Sequence, residues 1–285
     1  MTKRIHKGSR NAVKVVAHKA KARRSACVMK PEYLAEIERF RLMDDDFMSK
    51  CLENAPECIE LMLQIILGKK DLKVVKSQTE YPIKSLQGRG VRFDVFARDS
   101  KGREYDIEIQ RADKGAEPKR ARYNSALMDA NALKSGDDVG KLRDTYVIFI
   151  TENDVMKRAK DMYVFDRVDK DDGLELGDGT HIIYVNGATR STSDIGKLVH
   201  DFQCSDVAEM HFDVLKKQVN QFKNSEEGRR VMCKAVEGLV EKGKREIMIA
   251  TAKRLLANGK LVLKEIAECS GLSLAQVKKL QASMA

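Results

Sequence analysis

No part of the chain approaches the roughly 20 consecutive apolar residues that a membrane helix needs, so no membrane partner is expected. A secretory leader is not expected either, because the longest apolar stretch near the start, residues 13 to 17, is short and broken by Lys14. A cytoplasmic location is the expectation that follows. The six cysteines make no C-x-x-C and the five histidines make no H-x-x-x-H, so the thiols are expected to be reduced and zinc is not expected. Acid is absent from residues 1 to 30, which carry ten Lys or Arg. Beyond residue 30, 43 basic residues face 43 acidic ones, so the net charge of +10 sits in the tail. Internal repeats and low-complexity blocks are also lacking outside that tail.

What remains is enough to fold. With 285 residues, 42% hydrophobic and 34% charged, the chain can bury a core and does not have the composition of a disordered polymer. Residues 1 to 30 are expected to form a flexible basic arm that can dock on phosphates by releasing counterions. A solvated terminus with no dedicated partner is the alternative.

Apolar spacing predicts a helix over residues 32 to 67, interrupted near Asn54-Ala55-Pro56 and ended by Gly68. Residues 72 to 82 and 90 to 98 are rich in β-branched and aromatic side chains and read as two strands. The segment "RFDVFARDSKGREYDIEIQ", residues 92 to 110, reads as a hairpin. In it Phe93, Val95 and Ala97 alternate with Asp94, Phe96 and Arg98, and Tyr105, Ile107 and Ile109 alternate with Asp106, Glu108 and Gln110. A three-residue loop, Ser100-Lys101-Gly102, would put Gly102 in the left-handed position that such a turn requires. Asp99 then faces Arg103, and Asp94 faces Glu108 with Cβ atoms about 5 Å apart.

A basic helix over residues 117 to 134, begun at Pro118, and a continuous apolar strand, "TYVIFI", follow; a further strand, "IIYV", covers residues 182 to 185. Helix, three-strand meander, helix and strand in that order predict an α/β core over residues 31 to 195. A helical C-terminal region is expected over residues 196 to 285, through which the chain could form a homo-oligomer.

Two carboxylates about 5 Å apart repel unless a positive charge lies between them, and one divalent cation is an economical bridge. Oxygen donors suit Mg²⁺ or Mn²⁺. Asp94 and Glu108 would supply two ligands and the backbone carbonyl of Ile109 a third. The bland reading is an amphipathic hairpin with a merely wet polar face.

The blocks "RFDVFARDSKGREYDIEIQ", "GAEPKRARYNSALMDA", "TYVIFITENDV" and "HIIYVNG", in this order, resemble the PD-(D/E)XK nuclease superfamily, specifically its recombination-promoting nuclease and transposase (Rpn) family, over residues 42 to 215. The resemblance implies a restriction-endonuclease-like core, metal-dependent DNA cleavage and association with recombination or mobile elements. Asp94 matches the metal-binding aspartate, Glu108 the acidic member of the (D/E)-x-K element, and Gln110 its last position, where the superfamily carries lysine. A neutral amide orients a water or phosphate but adds no charge. The superfamily commonly adds an acid from the preceding helix; Asp44 is the candidate here, with Asp46 and Glu53 as alternatives. Lys119, Arg120, Arg122 and Tyr123, after the hairpin, are candidate DNA contacts.

Near the C-terminus, "LKEIAECSGLSLAQVKKLQ" has helix-turn-helix spacing, and Ser273 with Gln276 signals a capped last helix. Gln276, Lys278 and Lys279 would face DNA if it is a reader; a packing cap is the other reading. Two rivals to a nuclease stand beside these expectations: a DNA-binding protein without chemistry, and an oligomerising interaction module.

Overall fold

The computed structural model describes residues 29–85 and 88–284. The expected basic arm lies outside these residues apart from Met29 and Lys30. The long N-terminal helical segment divides into three: α1 (Pro31–Arg39), α2 (Asp45–Leu52) and α3 (Pro56–Leu67). The break before α3 is the expected one, where Asn54 adopts a positive φ of 59° and Pro56 opens the next helix. The earlier break, at residues 40 to 44, was not anticipated. There Asp44 occupies the N-cap position of α2 without a side-chain capping bond, and the first turn adds Asp45 and Asp46, charges that suit a helix N-terminus.

Six strands form one mixed sheet, β1 (Val74–Ile83), β2 (Val91–Asp99), β3 (Glu104–Gln110), β4 (Thr145–Thr151), β5 (Met162–Phe165) and β6 (Thr180–Asn186), in the order β1-β2-β3-β4-β6-β5. The first three make the antiparallel meander. Helix α4 (Pro118–Ala132) then carries the chain across the sheet, so that β4 runs parallel to β3. All seven residues of β4 are buried, as its continuous apolar run implies. Strand β5 had no sequence signal strong enough to be read; it is four residues long and sits at the sheet edge.

The hairpin register is the expected one: Phe96 pairs with Asp106 and Val95 with Ile107, while the Asp99 N–H donates to the Arg103 carbonyl at 3.1 Å. Gly102 takes φ +83°, which lets the turn close without a Cβ clash. The side-chain alternation, however, fails at Asp94. Val95 and Ala97 pack against the helices on one side of the sheet, whereas Phe93 joins Phe96 in the cluster beneath α4. Across β1, Glu80 sits at φ +54° between the pairs Thr79–Val95 and Tyr81–Phe93. The switch in β2 thus lies opposite a left-handed non-glycine residue in its neighbouring strand.

The side of the sheet opposite α4 is covered by α1–α3, α5 (Asp194–Gln203), α6 (Asp213–Asn224) and the first half of α7 (Glu226–Asn258). Apolar packing in this cluster runs from Ile37 to Val236, across the boundary expected at residue 195. A second, smaller cluster joins the end of α7 to α8 (Leu263–Ser270) and α9 (Leu274–Met284) through Ala252, Ile266, Ala267, Leu272 and Val277. The Ser273–Gln276 cap forms as read: the Ser273 N–H donates to Gln276 Oε1 at 2.8 Å, and the Gln276 N–H to Ser273 Oγ at 3.3 Å. Among the described residues no helix is long and apolar enough to cross a membrane. The result is a mixed α/β architecture of the restriction-endonuclease-like type, with a helical C-terminal region.

Candidate metal and active centre

Backbone pairing between β2 and β3 stops at Val95–Ile107. One step further Asp94 leaves the ladder, and its Oδ2 accepts the Ile109 N–H at 2.8 Å, in the place a β2 carbonyl would otherwise take. In a strand the N–H and C=O of one residue leave on the same side, so the Ile109 carbonyl is directed toward this gap as well. Two further acids meet Asp94 there. Asp45, at the start of α2, and the left-handed Glu80 place ligand oxygens within 4.8 Å of it and of each other. Asp44, the acid expected from this helix, turns elsewhere: it accepts the Arg41 N–H at 2.8 Å and pairs with Arg111 at 2.8 Å.

Glu108 points from β3 toward α4 and is fully buried. Its Oε2 is gripped by Arg120, its Oε1 accepts from Asn124 at 3.3 Å, and the Gln110 amide lies 3.4 Å from Oε2. Asn124 also donates to Asp106 at 2.8 Å, a buried acid two residues before Glu108 on the same face. Arg120, expected as a DNA contact, is committed inward: it donates to the Gly115 carbonyl at 2.8 Å and lies over the Phe149 ring. Gly115, at φ +121°, is what lets Gln110 and Arg120 lie so close, since a Cβ there would stand 2.5 Å from Gln110 Oε1 and 3.3 Å from the guanidinium. Lys119, Arg122 and Tyr123 are exposed on α4, and Tyr123 donates to the Arg89 carbonyl.

The electrostatics follow from this crowding. Burial, then the charges of Asp45 and Glu80, push the Asp94 carboxyl up to about 6, against the Ile109 N–H and Arg120, which favour its ionised form. Burial and the neighbouring Asp94 charge push Glu108 up to about 8, in spite of Arg120. Asp106 is raised for the same reasons, with burial first and Glu108 second. One guanidinium does not compensate this many buried acids. Hard oxygen donors short of positive charge fit a hard divalent ion, and among the described residues the acids that converge closely enough to share one are Asp45, Glu80 and Asp94, with Glu108 outside that group.

A family model described as a PD-(D/E)XK nuclease family transposase matches residues 49–237, well over half of the chain and all of this centre except Asp45. The chain belongs to that family. No curated protein and no solved structure matches it.

Within this PD-(D/E)XK frame, Asp94 was expected from the sequence and meets Asp45 and Glu80, whereas Glu108, also expected, lies with Asp106 and Asn124 under α4; Asp45, Glu80, Asp106 and Asn124 were not expected. Asp45 and Asp44 are adjacent in an acid run, and spacing alone does not say which one faces inward. Glu80 reaches the site from a left-handed backbone position that the strand pattern does not reveal. Asn124 had a weak signal, as a polar residue flanked by Ala121 and Leu127 on an otherwise buried helix face.

Proposed function

We propose that this nuclease-family chain is a divalent-metal-dependent DNA endonuclease that hydrolyses phosphodiester bonds, acting in recombination or in the movement of mobile elements. The observation that carries the reading is the set of buried, mutually repelling carboxylates where β2 and β3 part, with Asp94 and Glu108 both raised. When bound, Mg²⁺ or Mn²⁺ would neutralise charge developing on the scissile phosphate and make a water easier to deprotonate.

The chain's own groups divide the remaining work. Asn124 and Asp106 brace Glu108 from beneath, fixing the direction of its free lone pairs. Gln110 orients a water or a phosphate oxygen by hydrogen bonds. Arg120, next to Gln110, supplies the positive charge that a lysine at position 110 would have brought, and its bond to Glu108 keeps that charge aimed at the reacting group. The exposed Lys119 and Arg122 are placed to meet backbone phosphates near the N-terminus of α4, where the helix's free N–H groups favour anions.

The test is cleavage of supercoiled plasmid by the full chain with Mg²⁺, Mn²⁺ or chelator. Wild type is expected to give nicked or linear product only with metal, and Asp94→Ala or Glu108→Ala to lower the rate by roughly 100-fold or more while circular dichroism stays native. Metal-independent cleavage, or equal rates for the variants, would remove the proposal.

A further inference from the structure

We propose a second metal site, for a borderline-soft divalent cation of the zinc type, built by His200, Cys204 and Glu209 where α5 hands over to α6, with His211 beside it. It is separate from the carboxylate centre in place and in donor chemistry.

His200 and Cys204 are four residues apart on α5 and therefore share one face of that helix. The chain then turns back through a short 3₁₀ segment, Val207–Glu209, whose start is fixed by Asp206 accepting the Ala208 N–H at 2.8 Å. This return brings Glu209 to the same place. A ring nitrogen of His200, Cys204 Sγ and a Glu209 carboxylate oxygen all lie within 4.8 Å of one another, a span that small rotamer adjustments close to a metal's coordination sphere. The His211 ring stands beside His200 with centroids 4.7 Å apart, and its ligand nitrogen groups with His200 and Asp201, not with Cys204 and Glu209.

The surroundings are those of a ligand site rather than of a loosely polar surface. The donors line a cavity of about 510 Å³. Behind them, the Asp201 carboxylate is fully buried: it accepts the His211 and Phe212 N–H groups at 2.7 and 2.8 Å and lies 3.5 Å from His200 Nδ1. A carboxylate close to one ring nitrogen is an arrangement usual behind metal-bound histidines. The cations near the cavity are engaged elsewhere. Lys197 pairs with Asp194 at 3.3 Å, and Arg190 donates to the carbonyls of Gly187 and Thr189.

Thiolate, imidazole and one carboxylate select zinc-like ions over Mg²⁺, so the two centres should sort metals between them. Binding transfers the Cys204 proton to solvent and gives up the contact between Sγ and the Asp206 carbonyl, which stands at 2.9 Å. The bound ion would tie the end of α5 to the segment entering α6. The sequence showed no such site because the donors are spread as H-x₃-C, then Glu five residues after the cysteine, a spacing that matches no common zinc framework.

The decisive experiment is titration of the metal-free full chain with Co²⁺, followed by its absorption spectrum, in wild type, Cys204→Ser, His200→Gln and Cys269→Ser. Wild type and Cys269→Ser are expected to show a thiolate-to-cobalt charge-transfer band that excess Mg²⁺ leaves intact and that Zn²⁺ displaces. Cys204→Ser should abolish the band, and His200→Gln should weaken binding by roughly 100-fold. Circular dichroism on each variant keeps a folding defect apart from a binding one, and Glu209→Gln, a change at a partly exposed carboxylate, repeats the test if either variant is misfolded. Absence of the band in wild type, or its persistence at equal strength in Cys204→Ser, would overturn the site. Neither result depends on whether the protein cleaves DNA.

Discussion

The two ends of one hairpin treat their acids in opposite ways. At the turn end of β2 and β3, Asp99 accepts from Arg103 at 2.6 Å and from the Tyr105 hydroxyl at 2.8 Å, and Glu104 is held by Arg98 at 2.5 Å and Arg143 at 2.7 Å. Burial alone would push the Asp99 carboxyl up, but the hydrogen bonds from Tyr105 and Arg103 bring it below the usual carboxylate range. Two to five residues along the same strands, Asp94, Asp106 and Glu108 repel one another, and all three are raised. Strand type, burial and residue type are shared between the ends. What differs is whether each acid is given its own counter-charge. Satisfied acids hold a turn together; unsatisfied ones store an electrostatic cost that a bound ion can relieve.

The largest expected effect breaks the satisfied end. Asp99→Ala removes the acceptor for two Arg103 donors and a buried tyrosine hydroxyl, and should cost about 3 kcal/mol in chemical denaturation while leaving metal affinity at the other end intact. A loss of metal binding in this variant, at a temperature where it stays folded, would show that the ends are not independent.

The next effect is pH dependence at the unsatisfied end. Asp94 and Glu108 have folded values near 6 and 8, above their ordinary 3.8 and 4.5, so the stability gained from their protonated forms is fully present below about pH 4 and is lost as pH rises through 6 and then 8. Metal-free protein should therefore lose up to about 1.4 kcal/mol per pH unit between pH 6 and 8, and Mg²⁺ should bind more tightly over the same interval because it displaces those protons. Thermal melts at each pH, with and without Mg²⁺, measure both.

A smaller effect sharpens the contrast. Glu108→Gln removes the raised acid yet keeps its shape and its hydrogen bond from Asn124. The metal-free variant should melt roughly 2–4 °C above wild type at pH 8 and should not cleave. The corresponding change at the turn end, Glu104→Gln, should lower the melting temperature, because Arg98 and Arg143 both lose their charge partner.

How far this contrast was legible in the sequence follows from the same residues. The hairpin, its register and its Gly102 turn could be read because they depend on local rules: period-two alternation and one glycine at the left-handed position. The crossover strand could be read because β4 is apolar without interruption from Tyr146 to Ile150. The alternation break at Asp94 could not, since it coincides with an irregularity in a different strand, where Glu80 adopts φ +54°. The choice of Asp45 over Asp44 also depends on a distant group, because Arg111 claims Asp44. Likewise Arg120 looked like a phosphate contact until the fold brought Glu108 and Phe149 against it. Local chemistry was visible in the chain; which neighbour answers each charge appears only in three dimensions.

The most direct measurement is calorimetric titration of Mg²⁺ or Mn²⁺ into metal-free wild type, Asp94→Asn and Asp99→Asn at pH 8. The carboxylate crowd should give saturable binding in wild type and in Asp99→Asn, and binding weakened by roughly 100-fold in Asp94→Asn. Equal affinity in wild type and Asp94→Asn, or no saturable binding in wild type, would contradict the claim that the unsatisfied end of the hairpin exists to hold a metal ion.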